Sequence, residues 1–225
     1  MDATGATACF VAAQNGANET LAVLIAAGAD IERARTSGAT PVYIAAQQGT
    51  LPCLSTLLDA KANPSTCKEG GFAPLSIACL RGRGECVELL LGARAAVDYA
   101  YTIADRFTPL MLAAHLGSTS MIEMLIRHGA SLRKRDASRR TPREIALSEG
   151  HGLAASLLAS KEGEEAREGQ AMAEEATLQE FKQMTPVREE LEISRESLDA
   201  IGMQLATFGS QQTIFSAASQ LCHSR

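Results

Sequence analysis

The chain has no tryptophan, and aromatic residues make up only 4% of its 225 positions. A core here must rest on alanine and leucine. No apolar run approaches the ~20 residues that a membrane-crossing helix needs. The N-terminus lacks a basic stretch followed by an apolar core, so no secretory leader is expected. The six cysteines (Cys9, Cys53, Cys67, Cys79, Cys86, Cys222) show no close-paired spacing, which argues against a zinc motif. They read as reduced thiols of an intracellular protein, cytoplasmic or nuclear.

Sequence motifs of catalysis are missing as well. There is no G-x-S-x-G, no phosphate-binding loop and no H-E-x-x-H. The four histidines, His115, His128, His151 and His223, are too dispersed for a local metal motif. The glycine pair in RGRGE, Arg81–Glu85, follows no strand-like run. No catalytic, cofactor-binding or metal-ligating residue is expected, and the chain does not read as an enzyme.

What the chain does have is one phrase five times: TACFVAAQNG from Thr7, TPVYIAAQQG from Thr40, APLSIACLRG from Ala73, TPLMLAAHLG from Thr108 and TPREIALSEG from Thr141. The closing glycines, Gly16, Gly49, Gly82, Gly117 and Gly150, are spaced by 33, 33, 35 and 33 residues. A fixed period of this size marks a stacked repeat array. Thr-Pro is a helix start, because threonine can cap an orphan N–H and proline at the first position loses nothing. The small pairs Ala12-Ala13, Ala45-Ala46, Ala78-Cys79 and Ala113-Ala114 allow close helix approach. A second helix follows each glycine, with apolar spacing at Leu21, Leu24 and Ile25; Leu54, Leu57 and Leu58; Val87, Leu90 and Leu91; Ile122, Leu125 and Ile126.

The TPL-type opening, the paired alanines and a closing Gly-Ala-Asp type segment resemble the ankyrin repeat family over about residues 4–160. The resemblance implies an all-α solenoid, with a helix–turn–helix and a projecting loop in each repeat of ~33 residues. Repeat boundaries fall near 1–34, 35–67, 68–102, 103–135 and 136–160. It also implies binding of another protein, as a scaffold, adaptor or targeting subunit, on the concave face of loop tips and first helices.

Departures from the pattern are specific. Ala73 replaces the capping threonine. Lys61 and Arg94 stand where glycine normally ends the second helix, at roughly 1 kcal/mol each. The family's histidine is absent; Phe10, Tyr43, Ser76, Met111 and Glu144 replace it. Arg143 and Glu144 make the fifth repeat a polar terminal cap. Cys9, Phe10 and Val11 look like inner-repeat residues, so either an unusual cap covers them or the array is part of a longer one.

Two surfaces are candidates for binding. The first is central: Phe72 and Phe107 at loop tips, Leu80, Arg81, His115 and Leu116 on first helices, and Tyr99, Tyr101 and Asp105 in the one loop lengthened by two residues. Aromatic anchors beside apolar side chains are the composition of hot spots; the alternative is that these aromatics seal adjacent loops. The second is basic: Arg133, Lys134, Arg135, Arg139, Arg140 and Arg143. Nucleic acid or anionic lipid contact, an import signal and a solvated loop all fit it, but the acidic whole disfavours nucleic acid.

The charge is uneven. Residues 1–160 carry 15 basic and 14 acidic side chains, whereas residues 161–225 carry 6 and 12. Residues 161–184 read as an acidic linker or loosely helical stretch, able to fold back on the basic patch. Residues 185–208 read as an amphipathic helix, which could pack on the array, dimerise or bind a partner helix. Residues 209–225 read as disordered. The expected function is a protein interaction module acting through repeats 3 and 4. The alternatives are a regulatory fragment of a larger ankyrin-containing enzyme or a binder of polyanions.

Overall fold

The computed structural model of the chain describes residues 5–66, 71–99 and 106–183. Among these the regular structure is ten α-helices and no strand. They come in pairs: α1 (Ala8–Asn15) with α2 (Asn18–Ala26), α3 (Pro41–Gln48) with α4 (Leu51–Asp59), and α5 (Pro74–Leu80) with α6 (Gly84–Gly92). The last two pairs are α7 (Pro109–His115) with α8 (Thr119–Arg127), and α9 (Pro142–Ser148) with the long α10 (Gly152–Gln183). Cys67, Gly70, Tyr101, Asp105, Cys222, the amphipathic stretch 185–208 and residues 209–225 lie outside the described residues.

The helix starts are set by the threonines. Thr7, Thr40, Thr108 and Thr141 each accept a hydrogen bond at Oγ1 from the backbone N–H three residues on, at 3.2–3.3 Å. Ala73 occupies the same extended N-cap conformation with no side-chain bond. The helix ends are set by a left-handed residue. Lys61 (φ 68°) and Arg94 (φ 61°) take this conformation where Gly28 and Gly129 take it in other repeats. They stand two residues past the ends of α4 and α6, where a cation is near the negative end of the helix dipole and part of the strain is offset.

First helices stack as one row (α1, α3, α5, α7, α9), and second helices as another (α2, α4, α6, α8). Corresponding positions show which way each side chain faces. Val11 is 40% exposed, whereas Ile44, Ile77, Leu112 and Ile145 at the same place are 5% or less. This position therefore faces the preceding repeat. Conversely, Ala13, Ala46, Cys79 and Ala114 are fully buried, and Leu147 at the same place is 57% exposed. That position faces the following repeat. Cys9 and Phe10 are buried with the second group, against repeat 2. Only Val11 of the three residues with inner-repeat character lies on the outward side.

Side chains also bond between repeats. The Thr50 hydroxyl donates to the Ala13 carbonyl at 2.9 Å, and that of Thr56 to Asn18 Oδ1 at 2.8 Å. A third series runs along the loops. Asn63 N–H donates to Glu32 Oε1 (2.6 Å), Ala96 N–H to Ser65 Oγ (2.9 Å), and Ser131 N–H to Asp98 Oδ1 (3.1 Å). The three acceptors occupy one repeat position, so the loops form a ladder with one rung per repeat.

The chain divides into two units, residues 1–165 and 166–225. In the first, Ala154, Ala155 and Leu158 at the start of α10 are buried and serve as the second helix of repeat 5. Residues 161–183, expected to be a linker or loosely helical, continue that helix. In the second unit, residues 166–176 of this helix are solvent-exposed.

Repeat 3 holds two local defects, an uncapped helix and a buried Ser76 hydroxyl without a hydrogen-bond partner. Ala73→Thr should stabilise the chain by about 0.5–2 kcal/mol, because Thr40 and Thr108 fit the equivalent site fully buried. Ser76→Ala should add about 1 kcal/mol by removing a desolvated, unbonded hydroxyl. Urea unfolding measures both, and a loss of stability in either variant contradicts the corresponding defect. A second comparison isolates the close approach at a helix end. Gly117 and Gly150 are both left-handed (φ 66° and 80°), but a Cβ at Gly117 would lie 2.6 Å from the His151 ring and one at Gly150 would meet nothing. Gly117→Ala should therefore destabilise more than Gly150→Ala in the same assay, by at least about 1 kcal/mol.

Candidate functional site

The exposed ends of the first helices form a line of side chains one repeat apart. Gln14, Asn15, Gln48, Arg81, His115, Leu116, Ser148 and Glu149 are exposed, and Leu80 is half-buried. These positions lie immediately before the closing glycines, where the helix must end and no neighbouring helix covers them. Leu116 is 41% exposed beside His115, whose Nδ1 lies 3.3 Å from Glu149 Oε1 of the next repeat. The His151 ring fixes the same corner through Nε2, 3.0 Å from the His115 carbonyl oxygen. The line thus passes from amides in repeats 1 and 2, through an arginine and a leucine, to a histidine–glutamate pair.

Of the two readings of the loop aromatics, exposed anchors or seals of adjacent loops, the described ones divide. Phe72 and Phe107 are half-buried and pack against the core. Each directly precedes a helix cap, Ala73 or Thr108. This is the position from which an apolar residue can staple the first turn of a helix. Tyr99 is 40% exposed. Tyr101 and Asp105 lie outside the described residues.

The basic run is heavily paired. Arg140 Nε lies 2.9 Å from Asp136 Oδ2, and Lys134 Nζ 3.7 Å from Asp98 Oδ2. Arg135 Nη1 lies 3.7 Å from Glu144 Oε2, Arg143 Nη1 3.4 Å from Glu162 Oε2, and Arg133 Nε 4.0 Å from Glu165 Oε2. Glu162 and Glu165 are on α10. Arg133 occupies the ladder position held by Glu32, Ser65 and Asp98 in earlier repeats. After repeat 4 the acceptor becomes a cation and pairs with a carboxylate of α10. Arg143 and Glu144 face the side that Val42 and Tyr43 turn to the next repeat in repeat 2, and both are exposed. A cleft lined by Leu132, Arg133, Arg135, Arg143, Glu144 and Leu147, among others, opens there.

Cys9, Cys53, Cys79 and Cys86 are buried free thiols. Burial pushes all four up from the ordinary thiol value, Cys79 furthest. Thiolate is the reactive form, so these are packing residues rather than nucleophiles. Among the described residues no group of three His, Cys, Asp or Glu side chains could hold a metal ion. No described helix is long and apolar enough to cross a membrane.

Sequence reading missed the loop ladder. Its signal was available, since Glu32, Ser65 and Asp98 are hydrogen-bond acceptors at 33-residue intervals, but nothing in one loop alone names its partner in the next.

Glu144 gives a test of the terminal cap. Its carboxylate accepts the Thr141 backbone N–H at 2.7 Å while Thr141 accepts its own N–H, forming a capping box. The bond from Thr141 holds the Glu144 carboxyl below its ordinary value, assisted by Arg135. A depressed carboxylate contributes stability above the unfolded-state pKa of about 4.3 and loses it as pH falls through the folded value. Glu144→Gln keeps the capping geometry without titrating. Between neutral pH and pH about 3, the melting temperature of the wild type should fall more than that of the variant. Parallel curves would show that the carboxylate contributes nothing.

A family model for ankyrin repeats (3 copies) matches residues 9–102 and 93–168. No curated protein matches the chain.

Proposed function

The chain belongs to the ankyrin repeat family, whose members are in general protein–protein interaction modules, and we propose that it is a scaffold, adaptor or targeting subunit. Its partner docks on the first-helix ends and loop tips of repeats 3 and 4: Leu80, Arg81, His115 and Leu116, bordered by Tyr99. The observation that carries this reading is the exposure of Leu116 beside His115. Nearly every other large apolar side chain of these two repeats is engaged in stacking, so an exposed leucine in the helix-end line is available for contact. Tyr101 and Asp105, expected from the sequence to join this surface, lie outside the described residues. Phe72 and Phe107 shape it from below, as staples that hold the loops.

The polyanion alternative is weaker. Five of the six basic residues already face a carboxylate within 4.0 Å. A nucleic acid would have to displace these partners before releasing counterions of its own. A regulatory fragment of a larger enzyme fits the same docking surface, and differs only in what is joined to it.

The test separates contact from stability. Arg81→Glu combined with Leu116→Glu changes only side chains outside the stack, so unfolding free energy should stay within about ±0.5 kcal/mol per site. Affinity pull-down with quantitative mass spectrometry should then show loss of the proteins enriched by the wild type, with at least a tenfold fall expected for a hot-spot pair. Unchanged recovery with an intact fold would place the partner elsewhere.

A further inference from the structure

Five loops carry a left-handed residue two positions before the helix cap: Gly5 (φ 73°), Gly38 (75°), Gly71 (91°), Arg106 (54°) and Arg139 (64°). The geometry behind this is visible in two of them. Arg35 N–H donates to the Ala39 carbonyl and Gly38 N–H to that of Arg35; in the fifth loop Asp136 N–H donates to Arg140 and Arg139 N–H to Asp136. The same turn is closed in both, and it demands positive φ at its tip. Glycine meets the demand without a Cβ; an arginine there is strained. Backbone strain of this kind, observed at a defined position, is a pointer to function.

Only four non-glycine residues among the described ones have positive φ, and all four are cationic: Lys61, Arg94, Arg106 and Arg139. Lys61 and Arg94 are accounted for, since each follows a helix C-terminus where a cation is favoured. No helix ends at Arg106 or Arg139. Both stand upstream of a helix start, where a cation is disfavoured. Both are exposed, and among the described residues neither guanidinium has a carboxylate within ion-pair distance. Their neighbours Arg133, Lys134, Arg135, Arg140 and Arg143 all have one. Nothing inside the described chain therefore repays the choice of arginine over glycine.

We propose that Arg106 and Arg139 form a two-tip clamp for an acidic polypeptide segment, one guanidinium on each of two successive loops. Helices of adjacent repeats stack at roughly 8–10 Å, so the loop tips are one step of that size apart. An extended chain rises about 3.3 Å per residue; carboxylates about three residues apart can reach both. The planar fork of arginine suits carboxylate, and bidentate pairing would explain arginine rather than lysine at each tip. A flexible acidic polypeptide is favoured over nucleic acid because it can set two carboxylates at the tips and uncharged residues beside the carboxylates that pair the other cations, whereas a phosphate backbone carries its charge without interruption. This inference rests on the interaction-module reading and adds the partner's chemistry.

The test uses the full chain and the double variant Arg106→Gly with Arg139→Gly, against a fluorescein-labelled glutamate-rich peptide, its glutamine counterpart and a single-stranded oligonucleotide. The glycine variant should melt higher by roughly 4–8 °C and bind the glutamate peptide about fivefold more weakly. Arg106→Lys with Arg139→Lys keeps the charge but loses the planar fork, so its affinity should fall between that of the wild type and the glycine variant, without the gain in melting temperature. Unchanged affinity in the glycine variant overturns the clamp, as does a glycine variant that melts no higher. Tighter binding of the oligonucleotide than of the peptide, lost in the same variant, would assign the tips to nucleic acid and overturn it too. The glycine variant is also carried through the pull-down. If the wild type enriches a partner, and that partner is lost on the Arg81/Leu116 substitution but kept in the glycine variant with unchanged peptide affinity, the clamp fails and the module reading stands. If the wild type enriches nothing, the module reading fails, while the peptide titration still decides the clamp.

Discussion

The structure depends on one constraint: each repeat must bury one side against its predecessor and another against its successor, because neither helix pair has a core of its own. The constraint explains the small residues first. Ala13, Ala46, Cys79 and Ala114 are fully buried on the successor side, where a larger side chain would hold adjacent helices apart. It explains the period as well. A stack joined by side-chain bonds from Glu32, Ser65 and Asp98 to the next loop tolerates little change in repeat length. The two extra residues between Gly82 and Gly117 are taken up in one loop, and the helix lengths on either side are unchanged.

The same constraint makes the ends chemically different from the middle. At the first repeat, Thr20 is exposed where Cys53, Cys86, Met121 and Ala154 are buried, and Val11 is the outward counterpart of buried isoleucines and a leucine. At the fifth, Arg143 and Glu144 replace apolar residues on the side where a successor would pack. The ladder ends by inversion of charge at Arg133. Part of the basic run is paired by repeat 5 itself: Arg133 and Arg143 meet Glu165 and Glu162 of α10, whose first turns are the second helix of that repeat. Exposed pairs of this kind contribute only about 0–1 kcal/mol each. Their effect is to pair the charges at this end of the described stack rather than to hold the fold together.

Much of this was legible in the residues, because the information was local. Thr-Pro names a cap within four residues, and left-handed Lys61 and Arg94 follow from their place in the phrase. What was not legible needed a direction or a partner. Cys9 and Phe10 read as candidates for an open face, but one helix cannot say which of its sides meets a neighbour. The difference between Val11 at 40% exposure and Ile44 at 5% says so at once. Phe72 and Phe107 left two readings open, anchors on the surface or seals of adjacent loops, and their half-burial against the core accords with the second. The length of α10 was hidden by composition: a glutamate-, alanine- and glycine-rich stretch resembles a linker, yet glutamate and alanine are also good helix formers, and here the helix is already nucleated by buried Ala154, Ala155 and Leu158.

Specificity must then come from positions that the stack leaves alone. A stacking residue cannot be altered for a partner without opening a cavity worth several kcal/mol, as in large-to-small substitutions generally. Helix-end and loop-tip residues carry no such penalty, so chemistry can vary there freely. Among them most choices are compatible with mere solvation: glutamine, asparagine and serine need no partner to explain them. The arginines at positive φ are not of this kind, because a left-handed arginine adds strain that glycine in the same turn avoids. Where the fold accepts a less stable residue with no compensation inside the described chain, an external contact is the physical account that remains.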